Sequence, residues 1–167
     1  MILARDEILK AVEKRTIGIR PFTKANVGPA SIDLTLGPEL RVFKQGLSPV
    51  TLTEFVDYKK STKLTKSDGY TIQPGEMVLG ITIEEITLPG NICGWLQGRS
   101  RFARLGLQVH MTASFVQPGV KNRTVLEIKN DAPMPVKLKE GLRICQIIFE
   151  RLEGKARYRG KFQSQRL

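Results

Sequence analysis

From Tyr70 onward the sequence is cut at short, regular intervals by turn residues, and that spacing limits the possible folds more than any other feature. Gln73-Pro74-Gly75-Glu76 places Pro second and Gly third, the arrangement a type II turn prefers. Met77 to Ile83 follows as an apolar run, and Leu88-Pro89-Gly90-Asn91 turns the chain again. Later, Lys139-Glu140-Gly141 leads into a further apolar run, Leu142 to Glu150. Many short strands at this spacing predict a mainly β chain, a barrel or a sandwich.

The first third adds one helix to that picture. Arg5 to Lys14 sets Ile8, Leu9 and Val12 on one side and Asp6, Glu7, Lys10 and Glu13 on the other, predicting a short amphipathic helix. Thr16 to Ile19 alternates as a strand, and Pro21 to Pro29 reads as a loop. Ser31 to Leu36 alternates until Gly37-Pro38, which is expected to stop it, and Leu40 to Phe43 is expected to be a separate strand. Gln45 to Asp68, polar and irregular, reads as an excursion from the core. At 167 residues the chain is one domain's worth, 1–167, long enough to bury a real core.

Chemistry concentrates in two places. Gly98-Arg99-Ser100-Arg101-Phe102-Ala103-Arg104 puts three arginines and a serine together, the donors and fixed positive charge that a polyphosphate requires. Glu127 lies within the apolar strand Thr124 to Ile128, where a carboxylate is costly unless it has a partner or a task. Alternation places Val125, Glu127 and Lys129 on one face and Thr124, Leu126 and Ile128 on the other, so Glu127 is equally readable as the polar side of an edge.

The net charge of +11 favours an anionic partner. Single-stranded nucleic-acid binders interleave basic residues with aromatics, whereas Lys59 to Lys66 has Tyr58 beside it and no aromatic within it. That tract reads as a solvated loop, and no nucleic-acid partner is expected. A basic β-barrel that binds nucleic acid without catalysis is the rival from another class. No apolar run approaches the ~20 residues of a membrane span. The early Arg5, Asp6 and Glu7 do not suit a signal peptide, so a cytoplasmic protein with no membrane partner is expected. Cys93 and Cys145, only two and far apart, suit a reducing compartment.

Residue types also narrow the mechanism. With one histidine, His110, and no Cys-x-x-Cys, one chain cannot supply the nitrogen and sulfur ligands of a zinc site, so no zinc is expected. The His-x-Glu and Pro-Cys-x-x-Cys of zinc nucleobase deaminases are missing, as are a nucleophile elbow and a Walker loop. What remains is a carboxylate acting on water beside an arginine and serine cluster.

Several separated motifs, in order, resemble the dCTP deaminases of the trimeric dUTPase superfamily. They are Pro29 to Leu34, Pro74-Gly75-Glu76, Gly94-Trp95-Leu96, Gly98 to Leu107, Val109 to Ala113, Pro118-Gly119, Thr124 to Ile128, Gly141 to Gln146 and Tyr158 to Phe162. The resemblance covers most of the chain. It implies a distorted β-barrel of the β-clip, dUTPase-like kind with a short N-terminal helix. It further implies a homotrimer with sites at subunit contacts and hydrolysis of dCTP to dUTP and ammonia in pyrimidine deoxynucleotide metabolism. Mg²⁺ would be bound through the triphosphate, and dTTP is an expected inhibitor.

By position, Glu127 matches the family's proton-shuttling glutamate, Ser100 and the Ala113 carbonyl the groups that place the water, and Arg104 the arginine beside the glutamate. Arg99, Ser100, Arg101, Phe102, Ala103 and Arg104 match the phosphate-binding segment, and Val125 and Leu126 the strand that meets the base. Gln146, Tyr158, Lys161 and Gln165 match nucleotide contacts, the last three on a flexible tail, 155–167, that would close over the ligand. Two positions depart from the pattern. Arg101 stands where a second serine is usual. Gln117 stands where dUTPases carry the aspartate that activates their water, which speaks for a reaction that stops at dUTP rather than a bifunctional one that continues to dUMP.

Overall fold

A computed structural model describes residues 1–46, 48–163, 165 and 167. Leu47 in the expected excursion, and Ser164 and Arg166 in the expected tail, lie outside the described residues. The N-terminal helix forms where its pattern places it, as α1 (Arg5–Glu13), with Ile8 fully buried and Lys10 paired to Glu7 at 3.0 Å on the outer side. Strands β1 (Gly18–Arg20) and β2 (Ile32–Phe43), the one-turn helix α2 (Tyr58–Ser61), β3 (Thr62–Lys66) and β4 (Thr71–Ile72) follow. Then come β5 (Met77–Thr87), β6 (Ile92–Gly98), the turn of helix α3 (Ser100–Ala103), β7 (Leu107–Gln108) and β8 (Phe115–Val116). The last strands are β9 (Lys121–Asn130), β10 (Val136–Lys137) and β11 (Arg143–Arg151).

Three local expectations are corrected. Gly37-Pro38 does not end a strand. Leu36 pairs with Thr82 and Leu40 with Gly80, so four steps along β2 meet two along β5, and a bulge absorbs the difference. Pro38 sits in that bulge, exposed, where its missing N–H breaks no ladder, while its carbonyl accepts from the Ser67 N–H at 2.9 Å. The polar excursion contains a strand, since β3 pairs along Glu39 to Phe43 of β2. Its exposed Lys63 and Lys66 are what an edge strand carries, which hid it from a search for apolar runs. The first strand begins later than Thr16, because the Thr16 and Ile17 N–H groups both donate to Ala11 O and close α1.

The main sheet runs β7-β9-β5-β2-β11-β6-β8, with β1 added to β5 and β3 to β2. Its two outermost strands, β7 and β8, are joined only by residues 109–114. Seven flat strands spaced ~4.8 Å apart would separate those ends by about 29 Å. A connection of that length reaches about 25 Å when fully extended. The sheet must therefore curl, and bulges in β2, β5 and β11 bend it into a distorted half-barrel. The concave side is filled by Leu34, Leu36, Leu126, Ile128, Ile147 and Phe149, all fully buried. The Gln73–Glu76 turn takes its expected form, with Gly75 at φ +78° and the Glu76 N–H donating to Gln73 O at 3.0 Å. Among the described residues no helix is long and apolar enough to cross a membrane.

Candidate active site

The segment that closes the sheet is also the one that holds Glu127. On β9, Asn122, Thr124, Leu126, Ile128 and Asn130 are buried, while Val125, Glu127 and Lys129 occupy the opposite, half-buried face. Glu127 pairs with Leu79 of β5, and Leu79 with Arg41 of β2, so its Cα is fixed by the ladder. Its carboxylate is fixed by the closing segment: Oε2 accepts from the Met111 N–H at 2.8 Å and the Thr112 N–H at 3.3 Å. Oε1 takes no hydrogen bond or ion pair among the described residues, which leaves it available to a water. Glu127 is thus a carboxylate on a central part of the fold, anchored through one oxygen.

Glu127 opens on a cavity of about 450 Å³. Ala113, Gln117 and Val125 line it with the carboxylate, and its aromatic lining residues are Phe43, Tyr58, Phe115, Tyr158 and Phe162. Gln165 lines it too. The chain after Glu153 reaches it along a defined route, the Tyr158 N–H donating to Pro118 O at 2.9 Å. Asn122 Nδ2 donates to Phe162 O at 2.9 Å and Gln163 O at 3.3 Å. Gly119 allows the crossing. It has φ +78°, and a Cβ there would stand 2.6 Å from Arg157 Cγ and 3.2 Å from Arg157 Cα.

Arg99, Ser100, Arg101, Phe102, Ala103, Arg104 and Gln146 are not among the residues that line this cavity. Arg99, at the end of β6, is held by Asp33, Nη2 to Oδ2 at 3.1 Å, and donates from Nη1 to Arg143 O at 2.8 Å. Arg143 approaches the same Asp33 oxygen at 3.4 Å, so one carboxylate serves two guanidinium groups. Ser100, Arg101 and Arg104 are exposed, and among the described residues neither Arg101 nor Arg104 makes an ion pair. Glu127 and Arg104 are therefore not paired within one chain. Phe102 packs its ring partly on the core, 6.0 Å from the Arg99 guanidinium carbon. Gln146 accepts from Ser31 Oγ at 2.6 Å and donates to Gly98 O at 3.1 Å, steadying the strand that leads into Arg99.

Of the two residues expected to meet the base, Val125 lines the cavity, whereas Leu126 is fully buried with its side chain in the core. Lys161 is exposed, its ammonium 5.9 Å from the Phe162 ring centroid. Sequence reasoning missed Asn122, which shares the buried parity of Thr124 and Leu126. An amide in that series signals a polar group with a fixed partner. It also passed over Phe43 and Leu79 in the cavity wall, which carry no signal distinguishing them from core residues. Among the described residues no three His, Cys, Asp or Glu side chains lie together as a metal site.

Comparison with known proteins agrees with this architecture. The family model for dCTP deaminase-like proteins matches residues 2–152. A dUMP-forming dCTP deaminase of Methanopyrus kandleri is 40% identical over 164 residues, covering 93% of this chain and 84% of its own. A dCTP deaminase of Marinomonas is 39% identical over 167 residues, covering 93% and 86%. Among solved structures, the 2'-deoxycytidine 5'-triphosphate deaminase of Agrobacterium tumefaciens superposes with a TM-score of 0.68 at 23% identity, over 90% of this chain and 48% of that longer one. This last likeness is one of fold.

Proposed function

The chain belongs to the dCTP deaminase-like family, and on that premise we propose that it hydrolyses dCTP to dUTP and ammonia. The observation that carries this reading is Glu127, which lines the cavity and is anchored through Oε2 by two backbone N–H groups. Water adds to C4 of the cytosine ring as Glu127 takes its proton. The carboxyl returns that proton to the ring, and a second transfer from the added hydroxyl to the amine lets the C4–N bond break. C4 becomes a carbonyl, ammonia leaves, and the glutamate is regenerated. Ala113, which lines the same cavity, would hold the water through its carbonyl.

The phosphate side is completed between subunits. Ser100, Arg101 and Arg104 lie exposed and away from the cavity of their own chain, which supports a homotrimer in which a neighbour's cluster meets each cavity. There Arg99 to Arg104 bind the triphosphate, Ser100 helps to place the water, and Arg104 comes beside Glu127. Tyr158, Lys161 and Gln165 close over the nucleotide, Gln146 steadies the Arg99 strand, and Gln117 reaches the sugar. Mg²⁺ would arrive with the triphosphate, whose charge the ion partly neutralises. The same cavity would admit dTTP as a competitor, and the reaction belongs in the cytoplasm.

The test is ammonia release from dCTP, CTP, dCMP and dUTP, alongside retention of single-stranded DNA. Ammonia from dCTP alone is expected. No ammonia from dCTP, together with DNA retained at moderate salt, would replace the enzyme with the binding protein.

A further inference from the structure

The excursion between β2 and β3 carries a structure that the deamination site does not yet explain. Asp57 caps α2, its Oδ1 accepting from the Lys59 N–H at 3.0 Å, and Thr62 Oγ1 donates to Tyr58 O at 3.0 Å. Lys44 ties the base of the excursion from both ends, its N–H donating to Ser61 O at 3.0 Å and its Nζ to Lys60 O at 2.8 Å. These bonds hold the short helix that carries Tyr58, whose carbonyl takes one of them and which lines the same cavity as Glu127. Removal from water pushes its phenol above the usual tyrosine range, so the ring stands there neutral.

The excursion also touches the C-terminal segment twice, in reciprocal fashion. Lys161 Nζ donates to Val56 O at 3.5 Å, and Lys59 Nζ donates to Leu167 O at 3.5 Å. Each segment lends a lysine to a main-chain oxygen of the other, and the two contacts flank Tyr58 in sequence. Tyr158 and Phe162 line the cavity from one segment and Tyr58 from the other.

From this we infer that Tyr58 is a further substrate-positioning residue, an aromatic wall packed against the bound nucleotide, and that the excursion and the tail form one two-part cover. The inference rests on the deaminase reading above and names a residue that acts on that site. A flat pyrimidine against an aromatic ring gains from stacking whatever its exocyclic groups, so Tyr58 serves affinity rather than the chemical step.

Tyr58→Ala, Tyr58→Phe and Lys59→Ala, each in the full chain, separate the possibilities. Tyr58→Ala is expected to raise KM for dCTP roughly 5- to 150-fold, the span of losing one ring stacked on a base. The kcat is expected to stay within about twofold, and Tyr58→Phe to restore KM. Amide hydrogen exchange of residues 155–163 under saturating dCTP should quicken in Lys59→Ala relative to the unmodified protein. An unchanged KM in Tyr58→Ala, or a fall in kcat alone, would overturn the positioning role. Unchanged exchange in Lys59→Ala would overturn the joint cover. If the unmodified protein neither binds nor deaminates dCTP, the functional reading itself fails, a result distinct from either.

Discussion

The two halves of the candidate site are built by opposite means. The carboxylate half is made inside one chain: ladder register sets the Glu127 backbone, and two N–H groups of the closing segment set its Oε2. The cationic half stands on one turn of helix after β6, with Arg101 and Arg104 exposed and, among the described residues, only Arg99 neutralised internally, by Asp33. The first half is organised before any ligand arrives, which is where a proton-transfer group gains most from rigidity. The second keeps charge that is unpaired among the described residues turned outward, which suits the proposed triphosphate site, because guanidinium groups already satisfied by internal acids would have little left for an anion.

Glu127→Gln is the sharpest way to break this contrast and should have the largest effect. The amide keeps the shape and one acceptor oxygen for Met111 or Thr112, but it cannot take the proton of water. The kcat for ammonia release should fall ~10²-fold or more, the typical worth of general acid–base catalysis. Nucleotide binding measured by calorimetry should change little. A turnover near normal would show that the prearranged carboxylate is structural.

Asp33→Asn tests the other half. It leaves Arg99 and Arg143 facing each other without their shared carboxylate, so the loss should appear in stability first. About 2 kcal/mol is expected, less than the ~3–5 typical of a fully buried pair because Arg143 is half-exposed. A shifted urea midpoint with unchanged slope would register it. A loss in kcat as large as that of Glu127→Gln would mean that the two halves are one prearranged unit after all.

Ending the chain after Glu153 removes Tyr158, Phe162 and Gln165 from the cavity wall while leaving every strand of the sheet in place. The KM for dCTP should rise about tenfold, with a smaller fall in kcat from water entering the site. Thermal unfolding should move by only a few degrees, since the last strand of the described residues, β11, ends at Arg151. Unchanged kinetics would separate the tail from the site.

Much of this was legible in the residues and some was not, for physical reasons. Alternation around Glu127 announced the face it occupies, because strand period two is local. Gln73-Pro74-Gly75-Glu76 announced its turn because φ near +80° is a demand on one residue. The passage of β2 through Gly37-Pro38 was illegible, since a bulge is decided by the partner strand and not by the dipeptide. The β3 strand was hidden because its lysines face water along an edge. The holding of Glu127 by Met111 and Thr112 uses backbone N–H groups, which every sequence supplies and none advertises. Only the curl of the sheet selects them.

The last contrast lies within the cavity, between Glu127 and Gln117, and concerns the smallest expected rate. Splitting the α–β phosphoanhydride requires a second water with its own base near the phosphates. Gln117 lines the same cavity but is an amide, able to donate and accept hydrogen bonds and unable to take a proton at neutral pH. In the proposed mechanism Glu127 is engaged with the water that attacks the base, and its Oε2 is tied to the closing segment, which leaves it poorly placed to serve a second water. Relatives named for dUMP formation and relatives named simply as dCTP deaminases match the chain equally well, at 40% and 39% identity, so overall likeness leaves the decision to this position. Ion-exchange separation of the products from dCTP should show dUTP accumulating, with pyrophosphate release below about a hundredth of ammonia release, the scale set by a missing general base. Gln117→Asp, which restores an acceptor, should raise the pyrophosphate rate without changing the ammonia rate by more than a few-fold. Comparable release of pyrophosphate and ammonia by the unmodified protein would show that a base other than residue 117 serves the second water, and that the prearranged half of the site extends further than the Glu127 anchor.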